Sequence, residues 1–156
     1  MPDTTSASLS TRGVLACYHR AILDKSADDL ADLYAADAVH EFPFFFPGMP
    51  ARYQGREEVR AGYRAVWGAS PAQPQEITEV AIHENTDPEV IIAEHVITGT
   101  VTTSGQPFSF PGLLVLRVRN GLIVHARDYM DGLGVAHTMD RLTTIAASLS
   151  SGEPDH

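Results

Sequence analysis

The stretch from Asn120 to Asp131 (NGLIVHARDYMD) places a carboxylate on the apolar face of a predicted strand. Alternate residues of a strand share a face, so Asp128 lies on the same side as Ala126 and Leu122. An unpaired buried carboxylate costs several kcal/mol or has its pKa raised, so an acid in such a place is either partnered or held ready for proton transfer. Asp128 is therefore the first candidate catalytic residue.

Two histidines supply the other candidate acid–base groups. His95 alternates with Ile97 on a predicted strand and is expected to face the same cavity as Asp128. The carboxylate would orient this imidazole and raise its basicity, which suits proton transfer at neutral pH. His40, two residues before Phe42, is predicted as a second donor that protonates a leaving oxygen or an enolate. The structural alternatives are an acid that holds nearby donors, a hydrogen-bonded core histidine, and a histidine at the cavity mouth.

Apolar spacing predicts the helices that must position these groups. Residues 9–23 carry apolar side chains at three-to-four spacing, and Ser26 begins a short second helix over residues 26–36 with the pattern of a capping box. A third helix is predicted over residues 55–67, where Val59, Tyr63 and Trp67 recur every four residues, and a single helix over residues 132–149 closes the chain.

The rest of the chain predicts a sheet. A strand at residues 38–42 precedes a proline-rich loop at 43–55, and later strands are predicted at 76–83, 89–103, 107–119 and 121–130. Ser104-Gly105 and Asn120-Gly121 are typical hairpin turns, so the last three strands form an antiparallel meander. The order of elements predicts an α+β domain in which a curved antiparallel sheet wraps over the N-terminal helices and encloses a pocket.

The pocket would be lined by alternate residues of each strand and by the inner faces of the first and third helices. Tyr18 and Tyr63 are further candidate donors, whereas Tyr63 and Trp67 at helical spacing have core packing as their alternative role. The three phenylalanines at 44–46 are expected to pack inward, partly as a lid. The predicted substrate-binding residues are Tyr18, Phe42, Tyr63, Trp67, Ile97, Phe110, Leu114 and Ala126.

Length and charge limit the class of protein. The 156 residues, 44% of them hydrophobic, fit one domain at 9–149 with disordered tails at 1–8 and 150–156. Eleven basic against twenty acidic residues give a net charge of −9, which disfavours nucleic acid and anionic membranes as partners. Cys17 is the only cysteine, and the first residues do not resemble a secretory signal, so a cytoplasmic protein without an intrachain disulfide is expected.

Common cofactor motifs are missing from the sequence. It contains no GxGxxG, Walker, HExxH or GxSxG pattern. His40, Glu41 and His95 do not have the spacing of a metal site. The expectation is therefore chemistry without a metal or cofactor on a small molecule.

The segment RDYMD at 127–131, with HEFPFFFPGMPARYQGREEVRAGY upstream, resembles the SnoaL-like proteins of the nuclear transport factor 2 superfamily. This superfamily also includes ketosteroid isomerases, limonene-epoxide hydrolases and PhzA/PhzB-like proteins. The resemblance spans residues 9–147 and implies a conical α+β barrel that is commonly dimeric. Because this fold hosts many activities, the reaction must be inferred from the pocket residues.

Asp128 falls where limonene-epoxide hydrolases keep an aspartate that activates water and where PhzA/PhzB-like proteins carry a glutamate. The other two charged residues of the hydrolase site fall on His95 and Ile97, so that triad is incomplete. The ketosteroid isomerase base falls on Phe42 and its oxyanion-hole aspartate on Leu114, while its tyrosine is matched approximately by Tyr18. Steroid isomerisation of that type is therefore not expected.

The leading hypothesis is cofactor-free isomerisation, cyclisation or hydration of a small, largely apolar, oxygenated metabolite, with Asp128 and His95 as the proton-transfer pair. The alternatives are epoxide opening and a non-catalytic module for small-molecule binding or dimerisation. The outward-facing His125, Arg127 and Tyr129 predict a homodimer through the convex face of the sheet.

Overall fold

The computed structural model describes residues 8–151, which form five helices and six strands. The helices are α1 (Thr11–Asp24), α2 (Ala27–Ala31), α3 (Arg56–Ala69), α4 (Gly132–Thr138) and α5 (Leu142–Ser150). The strands are β1 (Tyr34–Glu41), β2 (Arg52–Gln54), β3 (Ala72–Glu84), β4 (Val90–Val101), β5 (Pro107–Arg119) and β6 (Leu122–Met130). The predicted tails lie largely outside the described residues. Across residues 8–151, no helix is both long enough and apolar enough to span a membrane.

The first two helices begin at serine caps. Ser10 accepts a hydrogen bond from the backbone of Gly13, and Ser26 accepts one from Asp29, the residue that the capping pattern indicates. α1 ends at Lys25, whose left-handed backbone lets its N–H reach the last carbonyls of the helix. α2 is shorter than predicted because the chain leaves the helix before Tyr34, which begins β1.

The strands form one curved sheet in the order β2-β1-β6-β5-β4-β3, and this α+β architecture is the predicted one. β3 to β6 are antiparallel neighbours, and the turn between β5 and β6 uses two left-handed residues, Asn120 and Gly121, as a tight hairpin requires. β1 pairs in parallel with β6 and sets His40 beside Ala126. The sheet is therefore mixed, with β2 and β3 as its two open edges.

Three further features of the secondary structure differ from the prediction. The loop predicted at 43–55 contains β2, which pairs with β1. β3 begins at Ala72 although Pro74 lies within it, because an edge strand tolerates a residue without an N–H. The single C-terminal helix is wrong: Asp140 adopts a left-handed conformation between α4 and α5, and the backbone of Arg141 donates back to Ala136.

The core lies between the helices and the concave face of the sheet. Val14 and Leu15 from α1 and Val59 from α3 are almost fully buried against sheet residues such as Ile91 and Leu116. The helices therefore cover one part of this face, and the uncovered part is available for a cavity.

The central position of Leu116 generates a stability prediction. Its side chain is fully buried, between the partners Ile91 on β4 and Ala126 on β6. Leu116→Ala should lower the free energy of unfolding by about 2–5 kcal/mol, because it leaves a cavity in a packed core. Urea denaturation measures this, with Leu149→Ala, at 68% exposed, as the control. Equal losses in both variants would contradict the assigned core.

Candidate active site

A cavity of about 430 Å³ opens between the concave sheet face, α1, α3, α4 and the loop before β2. Its walls are mainly aromatic and aliphatic. The predicted residues that line it are Asp128, His95, Tyr18, Phe42, Tyr63, Trp67, Ile97, Phe110 and Leu114. Residues that line it without having been predicted include Lys25, Phe46, Met49, Tyr53, Met130, Val135, Met139 and Arg141.

Two predicted site residues lie behind the cavity wall. Ala126 is fully buried in the core, and its register partners Leu116 and His40 are fully buried as well. Its position gives it no contact with a ligand, contrary to the prediction. His40 also lies behind the wall and not at the cavity mouth, so it can act on a ligand only through other side chains.

His40 belongs to a hydrogen-bonded chain that ends on Asp128. The Tyr34 hydroxyl lies 2.7 Å from His40 Nδ1, and the Tyr63 hydroxyl lies 3.1 Å from His40 Nε2. The same Tyr63 hydroxyl lies 3.4 Å from Asp128 Oδ2, and His40 Nε2 approaches that oxygen to 3.6 Å. Three side chains from β1 and α3 thus form a chain that ends on the carboxylate of Asp128 on β6.

The donors and acceptors of this chain can be assigned in one consistent way. An ionised carboxylate only accepts, so Tyr63 donates to Asp128. The Tyr63 oxygen then accepts from Nε2–H of His40, which leaves His40 Nδ1 to accept from the hydroxyl of Tyr34. The chain therefore presents its donors to Asp128, whose side chain remains 20% exposed toward the cavity.

The tyrosines around Asp128 stay protonated at neutral pH. Burial raises the pKa of Tyr63 well above its usual value, and the charge of Asp128 raises it further. Burial likewise raises the pKa of Tyr18 and of Tyr34. These hydroxyls can donate hydrogen bonds to the carboxylate or to a ligand oxygen, but they are not bases.

His95 also lines the cavity, on β4, two strands away from Asp128 in the same sheet. It is 6% exposed, and within residues 8–151 no hydrogen bond or ion pair joins it to Asp128. Burial lowers its pKa, and the charge of Asp128 offsets only part of this effect. The charge of Asp128 thus acts on His95 in the expected direction, but the loss of hydration outweighs it and the net shift is downward.

Gly112 on β5 leaves space for the His95 ring. A Cβ atom at this position would lie 3.0 Å from His95 Nε2, so a larger residue would press on the imidazole. Nδ1 of His95 is buried without a hydrogen-bond partner in the described structure. Behind it lies His19 of α1, whose ring centroid is 5.5 Å away at a near-perpendicular angle and whose Nε2 is also buried and unpartnered.

His19 escaped the sequence analysis because it lies outside the apolar stripe of α1. Burial and, as the smaller cause, the neighbouring His95 together lower its pKa from 6.5 to about 4. The only sequence signal was a polar residue next to Tyr18 on an amphipathic helix. His95 is therefore a neutral group of the cavity lining, with His19 packed against it outside the lining.

The phenylalanine loop divides between cavity and surface. Phe46 lines the cavity, as an inward-packing residue should. Phe44 and Phe45 are 66% and 49% exposed, so the expectation of inward packing is wrong for these two. Phe44 instead packs edge-on against Tyr129, at a centroid distance of 5.3 Å. The loop therefore covers the cavity through one ring only.

The outward-facing residues of β6 lie apart from the cavity. His125 contacts Glu41 at 3.0 Å, and His125 and Arg127 line a shallow groove with Arg117 on the opposite face. Their role in a homodimer stays a prediction. Within residues 8–151, no three His, Cys, Asp or Glu side chains group as metal ligands.

The sequence and structure match known proteins. The profile of the SnoaL-like domain family matches residues 14–126. An uncharacterised PhzA/B-like protein of Pseudomonas aeruginosa is 29% identical over 129 residues, which cover 80% of this chain and 86% of that protein. A Bacillus subtilis crystal structure, provisionally assigned as an isomerase, has a TM-score of 0.74 at 26% identity and covers 82% of this chain and 91% of its own.

A more distant match has the same fold. It is an LEH-like epoxide hydrolase of M. tuberculosis with a TM-score of 0.56 at 17% identity, and the match covers 90% of this chain and 94% of that one. The profile match begins in α1 and ends two residues before Asp128. The candidate base therefore lies just beyond the part of the chain that the profile matches.

Tyr34→Phe tests the hydrogen-bonded chain. The substitution removes the hydroxyl that satisfies His40 Nδ1 and leaves a fully buried acceptor unpaired. We expect the free energy of unfolding to fall by roughly 1–3 kcal/mol. Urea denaturation measures it, with Tyr129→Phe on the surface side of β6 as the matched control. A loss no greater than that of the control would contradict the assigned bond.

The buried histidines predict a fall in stability at acid pH. Below about pH 6.5 the unfolded chain takes up protons that His19, with its pKa near 4, does not take up in the folded state. The free energy of unfolding should therefore fall as the pH drops from about 6.5 to about 4, and the lowered pKa of His95 acts in the same direction.

His19→Gln should make this fall shallower, whereas His137→Gln, at an exposed position of α4, should not. Denaturation curves across that pH range give the comparison. An identical pH dependence in the wild type and the His19 variant would show that this histidine is not held neutral.

Proposed function

Because the chain belongs to the SnoaL-like domain family, we propose that it catalyses a cofactor-free acid–base reaction on a small, largely apolar, oxygenated molecule. The reaction is an isomerisation, a cyclisation or a hydration. The observation that carries the proposal is the chain of Tyr34, His40 and Tyr63 that ends on Asp128 at the wall of an apolar cavity. A carboxylate so placed is a functional-site candidate on physical grounds.

Asp128 is the proposed proton acceptor. Its accessible oxygen takes a proton from a carbon beside a carbonyl group, or from water, and the electron pair stays on the substrate or on the attacking hydroxide. The apolar walls hold the substrate close to the base and exclude competing water. Return of the same proton to another carbon completes an isomerisation. In a cyclisation the enolate carbon bonds to an internal carbonyl carbon, whose π bond breaks, and the resulting alkoxide takes the proton from Asp128. In a hydration the hydroxide adds to the β-carbon of an enone, and the resulting enolate takes the proton at its α-carbon.

Tyr63 and His40 are the proposed positioning residues for this base. The Tyr63 hydroxyl fixes one carboxylate oxygen, and His40 fixes Tyr63 in turn. Because the pKa of Tyr63 is raised, it remains a donor throughout and does not compete for the substrate proton. Asp128 is thus positioned by Tyr63 and His40, whereas the sequence predicts a direct pair of Asp128 and His95.

His95, two strands away from Asp128 in the same sheet, is the proposed second acid–base group of the reaction. As a neutral imidazole it has one N–H and one free nitrogen, so it can stabilise a developing oxyanion or exchange a proton with it. Gly112 leaves the Nε2 side of the ring unobstructed. Tyr18, whose hydroxyl stays protonated because burial raises its pKa, is a further donor from α1.

Epoxide opening is a weaker proposal for this cavity. It would use Asp128 to activate water and would need an acidic group to protonate the epoxide oxygen. Ile97 supplies no such acid, and the lowered pKa of His95 disfavours its cationic form. Proton transfer at carbon needs a base but no acid that protonates an epoxide oxygen, so it suits the residues of this cavity better.

Asp128→Asn tests the proposal without knowledge of the natural substrate. Exchange of carbon-bound protons in D₂O is followed by ¹H NMR for a panel of small apolar ketones and enones, with terpene epoxides as a hydrolysis arm. The wild type should accelerate exchange in at least one carbonyl compound. The asparagine variant should reduce that rate by about 10²–10⁴, because the amide cannot accept the proton.

Asp37→Asn is the control, since Asp37 is an exposed acid on β1. Equal rates for Asp128→Asn and the wild type would remove Asp128 as the base. Binding without exchange or hydrolysis across the panel would favour a binding module, and diol formation without exchange would favour epoxide opening.

A further inference from the structure

Two of the charged side chains that line the cavity are already held by the protein. Lys25 Nζ donates to the backbone carbonyls of Ser70 and Ala72, at 3.1 Å each, and so ties the end of α1 to the start of β3. Asp131 caps α4 by accepting from the backbone of Gly134 at 3.0 Å. Their contacts explain their presence in structural terms.

Arg141 lines the same cavity without such contacts. Within residues 8–151, its guanidinium makes no ion pair within 4.0 Å and no side-chain hydrogen bond. Arg52 and Arg127 also lack an ion pair, but neither lines this cavity, so among the described residues Arg141 is the unpaired arginine of the cavity wall. Seven other arginines are paired with carboxylates: Arg12, Arg20, Arg56, Arg60, Arg64, Arg117 and Arg119.

Gly48, in the loop before β2, lies next to the guanidinium of Arg141. A Cβ atom on Gly48 would lie 2.9 Å from the terminal nitrogen of Arg141, and Gly48 also has a left-handed φ of 86° that favours glycine. Arg141 itself follows Asp140, the left-handed residue that separates α4 from α5. The break in the C-terminal helix and the glycine of the loop together place a guanidinium at the partly exposed edge of an apolar cavity.

We propose that Arg141 binds a carboxylate of the substrate, so that the molecules this protein acts on are small apolar acids. This inference rests on the proposed function and adds the substrate class to it. The planar guanidinium matches a carboxylate with two parallel hydrogen bonds. The apolar body of the acid would then occupy the aromatic part of the cavity, with its reacting carbon toward Asp128.

A carboxylate fits the site better than a phosphate. One free guanidinium can neutralise a single negative charge, whereas a phosphate dianion would leave excess charge in a cavity that also contains Asp128. Phe46, Met49 and Val135, which line the same cavity, have no hydrogen-bond donor in their side chains. The proposed group is therefore singly charged.

Matched acids and amides test the proposal. Benzoate, cinnamate and 2-naphthoate are titrated into the protein beside benzamide, cinnamamide and 2-naphthamide, and dissociation constants are measured by NMR or calorimetry at low salt. In at least one pair the acid should bind about tenfold or more tightly, since a hydrogen bond to a charged group has that effect. Raised salt should reduce this preference.

Arg141→Gln should abolish the preference for the acids, and a circular dichroism spectrum and urea midpoint equal to those of the wild type show that the variant is folded. Arg52→Gln is the matched control, because Arg52 is exposed on β2 and lies outside the cavity lining. Equal or weaker binding of the acids in all three pairs, including no binding, would overturn the proposal. So would a preference that survives in Arg141→Gln.

The binding comparison is independent of turnover. Asp128→Asn should keep the acid preference while it loses proton exchange, because the two residues act on different parts of the ligand. A preserved preference with no exchange in the wild type would reject the proposed reaction alone. Exchange without an acid preference would reject the carboxylate site alone.

Discussion

His40 has no exposure to solvent, and both of its ring nitrogens depend on tyrosine hydroxyls for hydrogen bonds. A buried imidazole without these partners would carry a large desolvation cost, so the fold must hold β1 and α3 at fixed positions. The same requirement positions Tyr63 against Asp128 on β6. One buried side chain thus couples the helical layer, the parallel strand pair and the carboxylate of the site.

Asp128 and His95 line the same cavity, but their hydrogen bonding and their contact with solvent differ. Asp128 keeps hydrogen-bond donors and partial access to the cavity. His95 and His19 face each other with unpartnered ring nitrogens, and their burial lowers the pKa of both. Asp128 is a hydrogen-bond acceptor and His95 a neutral imidazole two strands away, an arrangement that suits the proposed transfer of a proton across a bound substrate.

Periodicity predicted the features that depend on neighbouring residues. The alternation in β6 placed Asp128 on the concave face, and the Asn120-Gly121 turn fixed the hairpin that carries it. Asp128 and His95 make no direct hydrogen bond or ion pair in the described residues, because β5 separates β4 from β6 and spacing along the chain does not determine distances across two strands. The contact with His40 depends on parallel pairing between β1 and β6, for which local sequence has no signal. Arg141 was missed because its position follows from the left-handed Asp140 inside a pattern that reads as one helix.

The parallel pairing of β1 with β6 also has a consequence for the order of folding. β3 to β6 are joined by short connections, so their contacts close small loops, whereas β1 meets β6 only after most of the chain has been made. The hairpin sheet can form first as a scaffold, and β1 then docks along its free edge with His40. In that order Asp128 acquires its hydrogen-bond partners in the last step of assembly, and its environment reports on whether the whole chain has reached the native state.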